Sequence, residues 1–173
     1  MNEESILAWN IIEKTSANLF LTGKAGTGKT TFLKQLKEKS PKRMVVLAPT
    51  GIAAINAGGM TIHSFFQLPF SPYIPGTTFG SGEQKRYQFS KLKRNIIRSI
   101  DLLVIDEISM VRSDLLDAID SVLRHCRKRH DLSFGGVQLL MIGDLQQLAP
   151  VVTAQEEQLL KEHYDTPFFF SSN

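Results

Sequence analysis

Cysteine is almost absent: Cys126 is the only one in 173 residues. One thiol excludes an internal disulfide framework and a cysteine-rich zinc centre, and it suits a reducing compartment. Its expected place is an ordinary helix face. Long apolar runs are also missing, since no stretch approaches the ~20 residues of a membrane-spanning helix. The opening residues, MNEESILAW, are acidic and lack the basic-then-apolar order of a secretory signal, so a cytoplasmic protein is expected. There is no internal repeat and no low-complexity tract. Acidic residues are missing locally, both from Lys85 to Arg98 and from Arg124 to His130, although the net charge is only +3. Two acid-free basic clusters leave a polyanionic partner open beside the plainer reading of solvated faces.

What is present is ordinary for a globular chain, 42% hydrophobic and 21% charged, with the length of one domain. Short apolar runs at 18–22, 44–48, 102–106 and 137–143 read as buried strands. Between them, helical spacing predicts helices over 3–15, 30–39, 91–100 and 113–125. The helix at 91–100 should turn Leu92, Ile96, Ile97 and Ile100 inward and its basic residues outward. Trp9 is expected on the core side of the first helix, and Phe168 to Phe170 in an apolar strand. Near-continuous apolar strands alternating with helices give an α/β fold, a parallel sheet with helices on both faces. The stretch 68–82 holds three prolines and three glycines and reads as a long irregular loop, a feature usually functional or disordered in a compact domain.

The residues GKAGTGKT at 23–30 match G-x-x-x-x-G-K-[ST] between a strand and a helix, the context a P-loop needs. Gly26 and Gly28 let the loop curl so that successive N–H groups face an anion. The expected phosphate cradle comprises Gly23, Ala25, Gly26, Thr27, Gly28, Lys29, Thr30 and Thr31. Lys29 would reach the β- and γ-phosphates, and the Thr30 hydroxyl would coordinate Mg²⁺. In VIDEIS, Asp106 is placed to hold Mg²⁺ and Glu107 to polarise an attacking water, beside the P-loop if the two strands are neighbours. In GDLQQLAP, at 143–150, Gln147 is the candidate to touch a γ-phosphate, ahead of Gln146. The expected chemistry is ATP hydrolysis. At 48–54, APTGIAA ends a strand with Pro49, which stiffens the turn. Thr50 and Gly51 then offer a hydroxyl and an N–H at the start of a helix whose Ala53, Ala54 and Ala57 keep it slim.

Together GKAGTGKT, APTGIAA, TIHSFF, IDEISMV and GDLQQLAPV resemble the superfamily 1B DNA helicases of the PIF (petite-integration-frequency) type. RecD-type helicases share most of these elements, but FGGVQLLMIGDLQQLAPV and the terminal FFFSS favour the PIF branch. The resemblance covers nearly the whole chain. It implies the first RecA-like motor domain of a monomeric enzyme that hydrolyses ATP to move 5′-to-3′ on single-stranded DNA, nucleoid-associated if the source is bacterial. It places DNA contacts at Pro49, Thr50, Gly51, His63, Ser64 and Phe65, and a strand-separating wedge at about 66–90. The family's adenine-reading glutamine near the N-terminus has no counterpart, since NEESILAW offers only Ser5 at that place. A second RecA-like domain, carrying an arginine finger worth ~10³–10⁵ in rate, would follow residue 173. The 173 residues alone are therefore expected to bind nucleotide weakly, hydrolyse it very slowly and unwind nothing. An RNA-directed helicase and a stand-alone nucleotide switch for a protein partner remain alternatives at this point.

Overall fold

Leu102–Ile105 (β4) is buried along its whole length, and its side chains divide between two cores. Leu103 and Ile105 face one side of a sheet, Leu102 and Val104 the other, as the two-residue period of a strand requires. The computed structural model describes residues 2–76 and 89–173. Among them, five parallel strands lie in the order β1-β5-β4-β2-β3, from Leu19–Thr22 (β1), Met44–Ala48 (β2), Met60–Thr61 (β3), β4 and Gln138–Gly143 (β5). Helices Glu3–Lys14 (α1) and Lys29–Lys39 (α2) cover one face through Ala8, Ile12, Phe32, Leu33 and Leu36. On the other face lie Ile62–Phe66 (α4), Lys91–Ser99 (α5) and Ser113–Arg127 (α6), where Phe66, Ile97, Ile119 and Leu123 are fully buried. Gly51–Ala57 (α3) packs beside β2, and Ala154–Leu160 (α7) follows β5.

Several sequence expectations are corrected. The P-loop strand β1 and the Asp-Glu strand β4 are not neighbours, because β5 lies between them. Helix α5 buries Ile97, and Ile100 just beyond it, whereas Leu92 is 71% exposed and Ile96 is also exposed. Among the described elements α5 packs chiefly on α6, so a single line of its residues turns inward. In α1 the apolar residues Ile6, Leu7, Ile11 and Ile12 predict an inward stripe, yet Ala8 and Ile12 point inward while Ile6 and Leu7 face solvent. Phe168 only bridges Arg112, and Phe169–Ser171 is a 3-10 turn rather than a strand, with Phe169 buried against Phe20.

Trp9 is half-buried edge-on to Phe32, on the core side as expected, and Cys126 is buried on α6. The Arg124–His130 cluster is partly consumed by the fold. Arg124 pairs with Asp120, and Arg127 donates to the carbonyls of Gly135, Ile97, Arg98 and Ile100. Part of the 68–82 loop, of the Lys85–Arg98 cluster and of the 66–90 wedge lies outside the described residues. No described helix is long and apolar enough to cross a membrane.

Candidate functional site

The loop between β1 and α2 is shaped by backbone that L side chains avoid. Gly26 and Gly28 have φ of 81° and 92°, and Gly28 forms the N-cap of α2 without any side chain to block its N–H groups. The first turn of α2 carries no acidic residue, so the positive end of the helix dipole is left for an anion. The Lys29 ammonium folds over the loop and donates to the carbonyls of Gly23 and Lys24. Thr27 closes the turn by donating its hydroxyl to the Lys24 carbonyl at 2.9 Å.

A cavity of about 330 Å³ brings Ala25, Gly26, Gly28, Lys29, Thr30 and Thr31 against Glu107, Asp144 and Gln147. Intervening β5 therefore does not separate the P-loop from the Asp-Glu strand. It adds its own terminal residues to the same cavity. A second cavity, of about 340 Å³, also borders the loop, where Asn2 and Ser5 of the N-terminal segment meet Gly23, Thr27 and Phe32.

Asp106 follows β4 and receives the Glu107 N–H on its carboxylate at 3.0 Å. Burial raises its proton affinity, opposed by that bond and by the Lys29 charge. Glu107 sits in the left-handed region at φ 52°, a strained backbone for a non-glycine residue. Its carboxyl is raised first by burial, then by the neighbouring Asp106 charge and more weakly by Asp144, with Lys29 opposing. Asp144 is a member of the site that the sequence reading passed over. It is buried, accepts from the Gln146 N–H at 2.9 Å and from the Gln147 side-chain amide at 3.2 Å, and so aims Gln147 into the cavity. The available signal was its position directly after the glycine that ends β5.

Among the described residues no cluster of three or more His, Cys, Asp or Glu side chains could hold a metal. Thr30 and Asp106 nevertheless share a further cavity, of about 400 Å³, with Glu107 and Gln147. One hydroxyl and one carboxylate fit Mg²⁺, a hard ion that keeps several waters and takes its remaining ligands from phosphates. The same cavity reaches Thr50, Ile52, Ala53 and Asn56. Thr30, Asp106 and the start of α3 thus border one space.

Thr50 is the N-cap of α3. Its hydroxyl accepts from the Ala53 N–H at 3.2 Å, which leaves the O–H proton to donate elsewhere. Lys37 of α2 holds the other end of α3, donating to the carbonyls of Ala57 and Gly58 at 3.2 and 2.9 Å. Pro49 is half-buried and Gly51 exposed at that turn. On α4, His63 is half-buried and Ser64 exposed, but Phe65 is 4% exposed. Phe65 belongs to the core, edge-on to Phe66, with the Lys93 ammonium 3.6 Å from its ring centroid. A helix five residues long with Ile62 and Phe66 already inward turns Phe65 inward as well, so it lies beneath the surface that His63 and Ser64 present.

Comparison with known proteins agrees with this geometry. Residues 3–164 match the PIF1-like helicase family. The chain is 40% identical over 161 residues to the ATP-dependent DNA helicase PIF1 of Candida albicans, covering 87% of this chain and 16% of that protein. It is 37% identical over 141 residues to the ATP-dependent DNA helicase Pif1 of Bdellovibrio bacteriovorus, covering 80% of this chain and 30% of that one. A crystal structure of Bacteroides Pif1 bound to single-stranded DNA superposes with a TM-score of 0.90 at 50% identity, over 99% of this chain and 38% of that one. The same values hold for a Bacteroides Pif1 in complex with ADP-AlF3 and single-stranded DNA. These 173 residues thus span well under half of the relatives they match, and within that span the chain belongs to the PIF1-like helicases.

Proposed function

We propose that these residues form the first RecA-like motor domain of an ATP-dependent DNA helicase that moves 5′-to-3′ on single-stranded DNA, with a second RecA-like domain of the same protein as its partner. The observation that carries this reading is the cavity bordered jointly by Thr30, Asp106, Glu107 and Gln147 and by the Thr50 end of α3. A nucleotide site alone would not need its metal donors to share a space with a helix start one strand away. The edge also carries exposed apolar residues, Ile52 at 76%, Leu148 at 69% and Val151 at 80%, which suit cover by a neighbouring domain.

In this reading the N–H groups of the 23–30 loop and the Lys29 ammonium bind the β- and γ-phosphates of ATP. Thr30 and Asp106 hold Mg²⁺, which supplies charge neutralisation on the phosphate oxygens. Glu107 orients the attacking water and takes its proton, a role favoured by a carboxylate whose proton affinity its surroundings have raised. Gln147, aimed by Asp144, touches the γ-phosphate and registers its departure. Thr50 donates its free O–H proton to a DNA phosphate beside the Gly51 N–H, while His63 and Ser64 line the strand's path. The active species is a monomer.

Glu107→Gln in the full-length protein tests the reading. The amide keeps the shape and loses the base, so ATP turnover with single-stranded DNA should fall by about 10²–10⁴-fold while nucleotide still binds. Turnover within a few-fold of the parent would remove Glu107 from the chemistry.

A further inference from the structure

Phe70 is held in an unusual position for a large aromatic residue. The residue is 80% exposed, although the backbone on both sides of it is anchored. Leu68 is buried in the main core on one side, and on the other the Tyr73 N–H donates to the buried Asp114 carboxylate at 2.9 Å. Asp114 is itself fixed by a two-pronged pair with Arg112, at 2.8 and 2.9 Å. Between these anchors the Phe70 ring stacks on His63, with centroids 4.6 Å apart and planes 24° from parallel. His63 is half-buried on α4, so it backs Phe70 from the protein side and leaves the outer ring face to solvent.

A single exposed phenylalanine would need no explanation. This one is pre-oriented, by a stack of near-parallel rings, against a residue on the surface read above as the path of the strand. Its phenyl ring has no hydrogen-bonding group, so it offers a partner only a flat apolar face. That is the chemistry of sequence-tolerant base stacking. The Lys93 ammonium, seated on the Phe65 ring, adds a cation beside the same short helix for a neighbouring phosphate.

We propose that His63 and Phe70 form a two-ring platform, and that one base of the single strand stacks on the outer face of Phe70. The proposal rests on the reading of Thr50 and His63 as part of the DNA path, and it assigns to that path a residue outside the motifs that suggested it. Stacking contributes enough per base that its loss is a fivefold or larger change in affinity. It releases no counterions, so it leaves the salt dependence of binding alone.

The test uses the full-length protein and a fluorescein-labelled single-stranded oligonucleotide, titrated by anisotropy at two salt concentrations. Phe70→Leu keeps apolar bulk and loses the flat ring, Phe70→Tyr keeps the ring, and Thr50→Asp is run in parallel. The platform predicts at least fivefold weaker binding for Phe70→Leu with an unchanged salt slope, and near-parental binding for Phe70→Tyr. Unfolding midpoints of both Phe70 variants should match the parent, since the ring buries little. Parental affinity in Phe70→Leu with weak binding in Thr50→Asp would overturn the platform and leave the DNA path standing. Parental affinity in both would overturn the path and the platform with it. Equal weakening in Phe70→Leu and Phe70→Tyr would also overturn the platform.

Discussion

At Glu107 two unfavourable features coincide, a left-handed backbone and a carboxylate whose charge is opposed by burial, by Asp106 and by Asp144. Strain concentrated in this way is common where a group is held for chemistry rather than for stability. Because the folded chain raises the Glu107 pKa above its ordinary 4.5, its charge costs stability at neutral pH and costs nothing once the group is protonated in folded and unfolded chains alike. Glu107→Gln should therefore unfold at a higher temperature than the parent at pH 7, with the gap closing as pH falls towards 4.5 and below. Thermal melts across that range check the sign. Thr50 requires a different substitution. Thr50→Ala would remove the N-cap as well as the hydroxyl, at a cost of about 1 kcal/mol, and so blur the result. Thr50→Asp keeps an acceptor for the Ala53 N–H but replaces the O–H donor with a negative charge. It should keep the parental unfolding midpoint and lose single-strand binding by tenfold or more in an anisotropy titration. The P-loop and Asp-Glu residues were legible in the sequence because their partners are a few positions away along the chain. Asp144 and Phe70 were not: a lone aspartate after a strand and a phenylalanine in a loop match no motif, and only the folded chain shows the Asp144 carboxylate on the Gln147 amide and the Phe70 ring on His63.

The motif at 48–54 opens α3, and the helix as a whole gives it meaning. It is short and is fixed at both ends, by Thr50 at its start and by Lys37 at its finish. Its small residues also serve an inward purpose. Ala54 and Ala57 are buried, whereas Ile52 and Ile55 are exposed outward, at 76% and 79%. Gly59, just beyond, lies so near β2 that a Cβ there would stand 2.1 Å from the Val46 carbonyl oxygen. A backbone oxygen in a central strand cannot move aside as a side chain could. Gly59→Ala should displace β3 and α3 from the sheet edge, destabilising the fold by about 1–3 kcal/mol. Calorimetry should show the lowered midpoint, and single-strand binding should weaken with it because α3 carries Thr50. The helices expected over 3–15, 30–39, 91–100 and 113–125 and the four expected strands lie within about two residues of the observed ones, whereas α4, α7 and β3 carried no expectation. Which side of α5 faces the core was not, because four apolar residues at 91–100 satisfy a helical stripe that only packing against α6 narrows to Ile97 and Ile100. The run Phe168 to Phe170 misled for a related reason. Three aromatic residues suit a strand locally, yet Phe169 is drawn inward against Phe20 by a tight turn.

At the scale of the whole molecule, strand order carries the functional argument. Consecutive apolar strands predict a parallel sheet, but their order is a property of crossovers that no local pattern records. The observed order β1-β5-β4-β2-β3 inserts β5 between the phosphate loop and the Asp-Glu strand, and it sets β2 on the far side of β4. All five strands are parallel, so the residues that follow them emerge along one edge. Gln147 comes from the central of the three nucleotide-site strands and borders both the phosphate cavity and the cavity that reaches Thr50. Loss of a γ-phosphate contact at Gln147 would then be felt on the DNA side without any long relay through the core.

The most direct test of that coupling is the ratio of ATP turnover with and without saturating single-stranded DNA, measured in the full-length protein carrying Gln147→Ala. Nucleotide and DNA should each still bind while the ratio falls towards one. A ratio equal to that of the parent would contradict the coupling.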